Sequence, residues 1–159
     1  MPNMSHPHIL TSLTEREAIT DALYRAVLGF DLNDTAIFKS AWIGEDVTFV
    51  FNEEVVQGLE TIRTRFLVPV GPMDTTHTIS NVRVDLKEGA STAKVNAYAL
   101  AQHCPPGKGL DPNGPKFLAS AIYAVDVVKD KSDGVWKIGK WAMKIIWTQG
   151  DTSIMQTLA

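Results

Sequence analysis

Cysteine is almost missing from this chain. Cys104 stands alone, which excludes an internal disulfide framework and any metal centre built on several thiolates. No apolar run approaches the ~20 residues that a membrane-spanning helix needs. The opening Met-Pro-Asn-Met-Ser-His-Pro-His has no basic stretch followed by an apolar one, so no secretory signal is read there. Charge of one sign is also scarce: 15 lysines and arginines against 18 aspartates and glutamates leave a formal net charge of −3. The basic residues are scattered, so the footprint of a nucleic-acid partner is missing. His77 and His103 fall on different strands, without His-x-x-x-His or Cys-x-x-Cys spacing, and no metal site is read. The glycines near 107–114 sit in a proline-rich loop that opens a strand rather than a helix. They therefore make neither a phosphate loop nor a dinucleotide fingerprint. These absences lead to the expectation of a soluble, cytoplasmic protein working without metal, cofactor, nucleic acid or membrane.

What is present is ordinary globular material. The 159 residues are 45% apolar and 21% charged, enough for one domain with a core and an internal pocket. Residues 1–11 carry two prolines and no periodicity, and read as a flexible arm. Ser12 and Thr14 each open a possible capping box, and Ile19, Leu23, Ala26, Val27 and Phe30 then form one stripe at helical spacing. This predicts a helix over 13–29, stopped at Gly29. Asp34 caps a shorter helix carrying Ile37, Phe38 and Ala41. Residues 47–51 and 55–57 read as a hairpin, and 58–67 as a third helix ended by Pro69 and Pro72. Four long strands follow, at 75–86, 91–103, 116–129 and 134–148. The twelve-residue loop 104–115 joins the middle pair. Helices followed by long antiparallel strands predict an α+β domain over 12–150, its bent sheet wrapped around the helices and hollow at one end. Residues 151–159 read as a tail able to cover that hollow.

Proton transfer is the chemistry these residues fit. Asp31 lies just past the apolar stripe of the first helix. His77 opens the first long strand, and His103 closes the second on the face shared by Val95, Ala97, Ala99 and Ala101. Adjacent antiparallel strands bring those two ends together, and the alanines leave room for a pocket. A carboxylate on one imidazole nitrogen would fix the tautomer and leave the other nitrogen as a base. Plainer roles stand beside this one: Asp31 as a cap, either histidine as a satisfied strand residue, Tyr24 as core, and the four tryptophans as packing. Cys104 and His103 are neighbours on one strand and point to opposite faces, so they do not make a nucleophile and base.

A set of short motifs carries a resemblance. A helix bearing Tyr24 leads into Asp31-Leu32-Asn33-Asp34. A short helix, a strand and Gly58-Leu59-Glu60-Thr61-Ile62 follow, then His77 at a strand start, Asp133-Gly134-Val135-Trp136-Lys137-Ile138, and a late Trp147. In this the chain resembles the SnoaL-like branch of the nuclear-transport-factor-2-like superfamily, nearest in likeness to scytalone dehydratase and bile-acid 7α-dehydratase. The resemblance implies a cone-shaped α+β barrel. It implies Asp31 and His77 as a catalytic pair, His103 as a second histidine and Tyr24 as a pocket tyrosine, with His103 or Tyr24 as the acid that protonates the leaving hydroxyl or the developing oxyanion. Trp147 matches the terminal strand of scytalone dehydratase. Two tyrosines that hold a water on the substrate carbonyl in that enzyme correspond to Phe30 and Phe51, which cannot donate a hydrogen bond. A pocket arginine of the bile-acid enzyme corresponds to Ile145. The resemblance thus implies a cofactor-independent dehydratase, or an isomerase or cyclase using the same pocket, on a different, mostly apolar small molecule such as a polyketide or terpenoid intermediate of secondary metabolism. A small-molecule-binding protein without turnover is the remaining alternative. The resemblance also implies a homo-oligomer, dimer or trimer, and the apolar Tyr98, Leu100, Ile122 and Val128 on the outer strand faces suit a second copy.

Overall fold

The computed structural model describes residues 7–158; residues 1–6 of the expected arm lie outside it. Helix α1 spans Glu15–Asp31. Of the two possible capping boxes the chain uses Thr14: its hydroxyl accepts from the Glu17 N–H at 3.2 Å, and the Glu17 carboxylate accepts from the Thr14 N–H at 2.8 Å. The stripe of Ile19, Ala22, Leu23, Ala26 and Val27 is buried, each large member contributing about 1.5–3 kcal/mol. The helix does not stop at Gly29. That residue lets α2 approach, since a Cβ there would stand 2.5 Å from the Phe38 Cβ. The stop is supplied by Asn33, whose φ of 51° puts it in the left-handed region just past the helix. Helix α2 spans Thr35–Ser40, capped by Asp34, whose Oδ1 accepts from the N–H groups of Ala36 and Ile37 at 2.9 and 3.1 Å.

The hairpin β1 (Thr48–Phe51) and β2 (Glu54–Gln57) turns at Asn52 and Glu53, both with positive φ. Helix α3 (Leu59–Ile62) continues through a π-helical stretch, Arg63–Leu67, into α4 (Val68–Val70). The helix therefore runs past Pro69, against expectation. The wider turn, in which the Val68 N–H reaches the Arg63 carbonyl, relieves the clash that a proline makes in a regular α-helix. The long strands are β3 (Asp74–Asp85), β4 (Thr92–Cys104), β5 (Phe117–Lys129) and β6 (Trp136–Gly150), followed by a 3₁₀ helix at Thr152–Leu158.

These strands form one six-stranded sheet in the order β2-β1-β6-β5-β4-β3. Two details differ from the expected antiparallel barrel. The sheet is mixed, because β1 arrives from α2 and runs parallel to β6, and it is open, with β2 and β3 as its edges. Helix α1 packs along β3 and shields that edge in place of a closing strand. Three register shifts bend the long strands, between Ser80 and Arg83 on β3 and twice along the β5–β6 ladder. No helix among the described residues is long and apolar enough to cross a membrane.

Candidate active site

The concave face of the sheet and the helices enclose a cavity of about 320 Å³. Aromatic rings and alanines dominate its wall, with Phe30 from α1, Phe51 from β1, Ala99 and Ala101 from β4, and Ile145 from β6. His77 and His103 are its titratable imidazoles.

Asp31 is the last residue of α1, a place where the helix dipole disfavours a carboxylate. Three donors from β3 hold it there. The Thr75 hydroxyl donates to Oδ1 at 2.8 Å, the His77 backbone N–H to Oδ2 at 2.9 Å, and the His77 ring nitrogen Nδ1 lies 2.6 Å from Oδ1. An ionised carboxylate only accepts, so Nδ1 carries a proton toward Asp31, and in the neutral ring Nε2 is then the nitrogen with the lone pair. Burial pushes the Asp31 carboxyl upward, but the hydrogen bonds and charge of His77, with help from Thr75, outweigh it. The net position is below the ordinary aspartate range. The edge position of β3 matters here. Its outward backbone N–H has no strand partner on that side, and Asp31 supplies the acceptor.

Register places the second histidine. Thr75 pairs with His103, and His77 with Ala101, so the two imidazoles share a face, edge to face at 5.5 Å between centroids. His103 is 5% exposed. Burial, then the neighbouring His77, pushes its pKa down to about 4, so it is neutral at pH 7. Its Nδ1 meets no hydrogen-bond partner among the described residues. Phe30 lies 5.5 Å from the His77 ring and Phe117 5.8 Å from the His103 ring, which keeps the pair in an apolar setting.

Of the residues singled out from sequence, Asp31, His77, His103, Phe30, Phe51 and Ile145 come together at this cavity or its hydrogen-bonded edge. Two do not. Tyr24 is 42% exposed and lies off the buried stripe of α1, in a surface groove beside Arg16, Val82 and Val84. Trp147 is 45% exposed. The β5–β6 ladder pairs Ala121 with Ile145 and Ser120 with Trp147, so Ile146 is an extra residue and alternation resets. Met143, Ile145 and Thr148 line the cavity while Trp147 faces outward. Thr75, Trp42, Trp141 and Tyr123 were missed. Pleat parity with His77 could have found Thr75; the others had no local signal. Among the described residues no group of three or more histidine, cysteine, aspartate or glutamate side chains could hold a metal ion.

The SnoaL-like domain family matches residues 11–142. The chain belongs to that family. It is also similar to terrestric acid biosynthesis cluster protein E of Penicillium crustosum, at 43% identity over 95% of this chain and 98% of that protein. Among solved structures, it superposes on a scytalone-dehydratase-like protein from Novosphingobium aromaticivorans with a TM-score of 0.72. Identity there is 21%, with 86% of this chain and 87% of that one covered. A type 3 hexachlorocyclohexane dehydrochlorinase from Novosphingobium barchaimii gives a TM-score of 0.66 at 19% identity, covering 86% and 90%. At these identities the structural likenesses establish the α+β fold shared with nuclear-transport-factor-2-like proteins.

Proposed function

We propose that this SnoaL-like chain is a cofactor-independent lyase of secondary metabolism, a dehydratase acting on a mostly apolar polyketide or terpenoid intermediate. The observation that carries this reading is the Asp31–His77 pair, set at the wall of an apolar cavity with Nε2 unengaged among the described residues. Nε2 of His77 takes the proton from a carbon next to an activating unsaturated or carbonyl group. The C–H electron pair becomes the new C=C bond, and the C–O bond to the leaving hydroxyl breaks. Because His103 is held neutral, the imidazolium of His77 returns the proton to the departing oxygen, and His103 offers it a hydrogen bond. Net change is the loss of one water. Asp31 stabilises the transient imidazolium and fixes its ring. The relative's place in a biosynthesis cluster and the elimination reactions named for two fold neighbours support the assignment.

The test is a mass-spectrometric comparison of small molecules from cells carrying the wild-type chain and cells carrying His77→Ala. Accumulation of a species one water heavier than the wild-type product supports dehydration and delivers the substrate. Accumulation at unchanged mass turns the reading to an isomerase or cyclase. Identical profiles from a folded variant leave a binding protein. A homo-oligomer built on the outer face around Tyr98, Leu100 and Ile122 is part of the same proposal. Sedimentation of Leu100→Glu against wild type checks it, a shift to smaller species being expected.

A further inference from the structure

The Asp31–His77 pair has a third member, set behind it. Thr75 stands two residues before His77 on the edge strand β3, on the same pleat face. Its hydroxyl donates to Asp31 Oδ1 at 2.8 Å. Nδ1 of His77 lies 2.6 Å from that same oxygen, whereas Oδ2 accepts from the His77 backbone N–H at 2.9 Å. One oxygen therefore serves two donors, and the electron density it gives to Thr75 is withheld from the imidazole. Thr75 is not among the described residues that line the cavity, so it reaches the reaction through Asp31. The flanking Thr76 and Thr78 are exposed on the other face of β3.

The setting makes this shared oxygen matter. Asp31 closes α1, where the helix dipole disfavours negative charge, and its side chain is 15% exposed, so location alone favours the neutral acid. At 2.6 Å the Nδ1 proton stands close to Oδ1. Once Nε2 has taken a proton from a substrate, passage of the Nδ1 proton to Oδ1 would leave a neutral acid beside a neutral ring. The charge that stabilises the imidazolium would then be gone. Two of the three donors to Asp31 belong to His77, and one of them is the titrating ring itself. Among the described residues, Thr75 is the donor independent of it. The titratable groups facing Asp31 are His77 on β3, His103 on β4 and Tyr123 on β5. The carboxylates of Asp34 and Asp74 are turned away, to the first amides of α2 and to the Gly109 N–H.

We propose that Thr75 is a positioning residue of the Asp31–His77 pair: by sharing Oδ1 it keeps the proton between them on Nδ1, so that Asp31 meets the reaction as an anion. This rests on the reading of His77 as the base. The location of the proton is measured without turnover, so the two can fail separately.

The full chain carries ¹³C-carboxyl aspartate and ¹⁵N-histidine labels, with Asp31 and His77 assigned by their loss in Asp31→Asn and His77→Ala. In Thr75→Val the low-pH midpoint of the Asp31 carboxyl should rise by about half to one pH unit, the worth of one hydrogen bond to it. Its Nδ1–H resonance should move downfield, because Oδ1 now pulls on one donor instead of two. Thr75→Ser, which keeps the hydroxyl, should match wild type in both. The functional readout is ring opening of 5-nitrobenzisoxazole, a flat uncharged probe. Its C3 proton passes to Nε2 of His77, the C–H electron pair completes a C≡N bond, and the N–O bond breaks to a phenolate. The acid limb of this rate in Thr75→Val should move to higher pH together with the carboxyl, with the plateau above it within threefold of wild type. An unmoved carboxyl midpoint and Nδ1–H resonance in Thr75→Val, or a Thr75→Ser chain altered as much as Thr75→Val, overturns the assignment of Thr75. An acid limb that stays while the carboxyl moves overturns its part in proton transfer. Wild-type ring opening no faster than in His77→Ala overturns His77 as the base, and the proposal with it. If Thr75→Val fails to fold, Thr75→Ala takes its place with the same outcomes.

Discussion

Helix α1 is tied to the sheet by two buried polar networks, and they differ in one respect. Around Arg25, which is 3% exposed, the network closes on itself. Its guanidinium donates to Asp21 at 3.0 Å, to the Trp136 carbonyl at 2.7 Å, and to the Ser40 carbonyl. Around Asp31, six residues on, the carboxylate is as fully engaged, yet among the described residues no partner meets Nε2 of His77 or Nδ1 of His103. A polar network that serves stability spends its hydrogen-bonding capacity on the protein. One that serves chemistry keeps some in reserve at a cavity wall, here at the end of a helix where a carboxylate is electrostatically misplaced.

Substitutions should split the two networks by what they damage. His77→Ala carries the largest effect: turnover of the substrate identified by mass spectrometry should fall about 10²–10⁴-fold, with a smaller loss of stability than in Arg25→Met because the Thr75 hydroxyl and the backbone N–H at position 77 still hold Asp31. Arg25→Met should do the opposite. It leaves Asp21 and two carbonyls without their donor, at a cost of about 3 kcal/mol in denaturant unfolding, while kcat of the folded fraction stays within a factor of two or three. A large loss of kcat in Arg25→Met at full folding would erase the distinction between the networks. Asp31→Asn sits between them. One oxygen still accepts from Nδ1 and the Thr75 hydroxyl, but the amide nitrogen now faces the His77 backbone N–H, and the charge that stabilises an imidazolium is gone. Turnover should fall roughly tenfold to a hundredfold, less than in His77→Ala.

A further effect concerns pH. In the folded chain His103 is pushed down to about 4 from an ordinary 6.5, so between those values the unfolded chain binds a proton that the folded chain refuses. Stability is therefore complete above pH 6.5 and is lost as pH falls toward 4, by up to about 3 kcal/mol. The lowered Asp31 carboxyl acts in the same direction as pH falls further. Urea unfolding of wild type and His103→Leu across pH 7 to 4 checks this, and the variant should lose most of the slope. An unchanged slope would place the proton uptake elsewhere.

The parts of the site readable from sequence were those governed by strand parity and hairpin geometry. Pairing of successive long strands brought His77 to His103, and α1 ended where Asp31 could meet them. Trp147 was placed by resemblance alone, and one extra residue at Ile146 turns it outward; no local preference announces a bulge. Tyr24 failed through resemblance: its position beside the buried stripe of α1 faces the groove by Val82 and Val84 rather than the cavity. The parallel pairing of β1 with β6 is a contact between distant segments, invisible to periodicity. Trp42 meets Trp141 because it bridges in parallel to Ile138, three residues earlier on β6, another contact that periodicity does not show.

The smallest expected effect tests the tail as a cover. The Asp151 N–H donates to the Lys116 carbonyl at 2.9 Å, and the Asp151 carboxylate accepts from the Ser153 N–H and hydroxyl at 2.9 and 2.6 Å. These contacts start the 3₁₀ helix beside Phe117 and place Met155 at the cavity wall. One flexible thioether against an apolar ligand is worth about 1 kcal/mol. Met155→Ala should therefore raise KM a few-fold with kcat unchanged, and deletion of 151–159 should raise it further. Were the deletion to leave KM untouched, the tail would be packing beside the cavity rather than closing it, and the Asp31–His77 end would be open to water throughout the reaction.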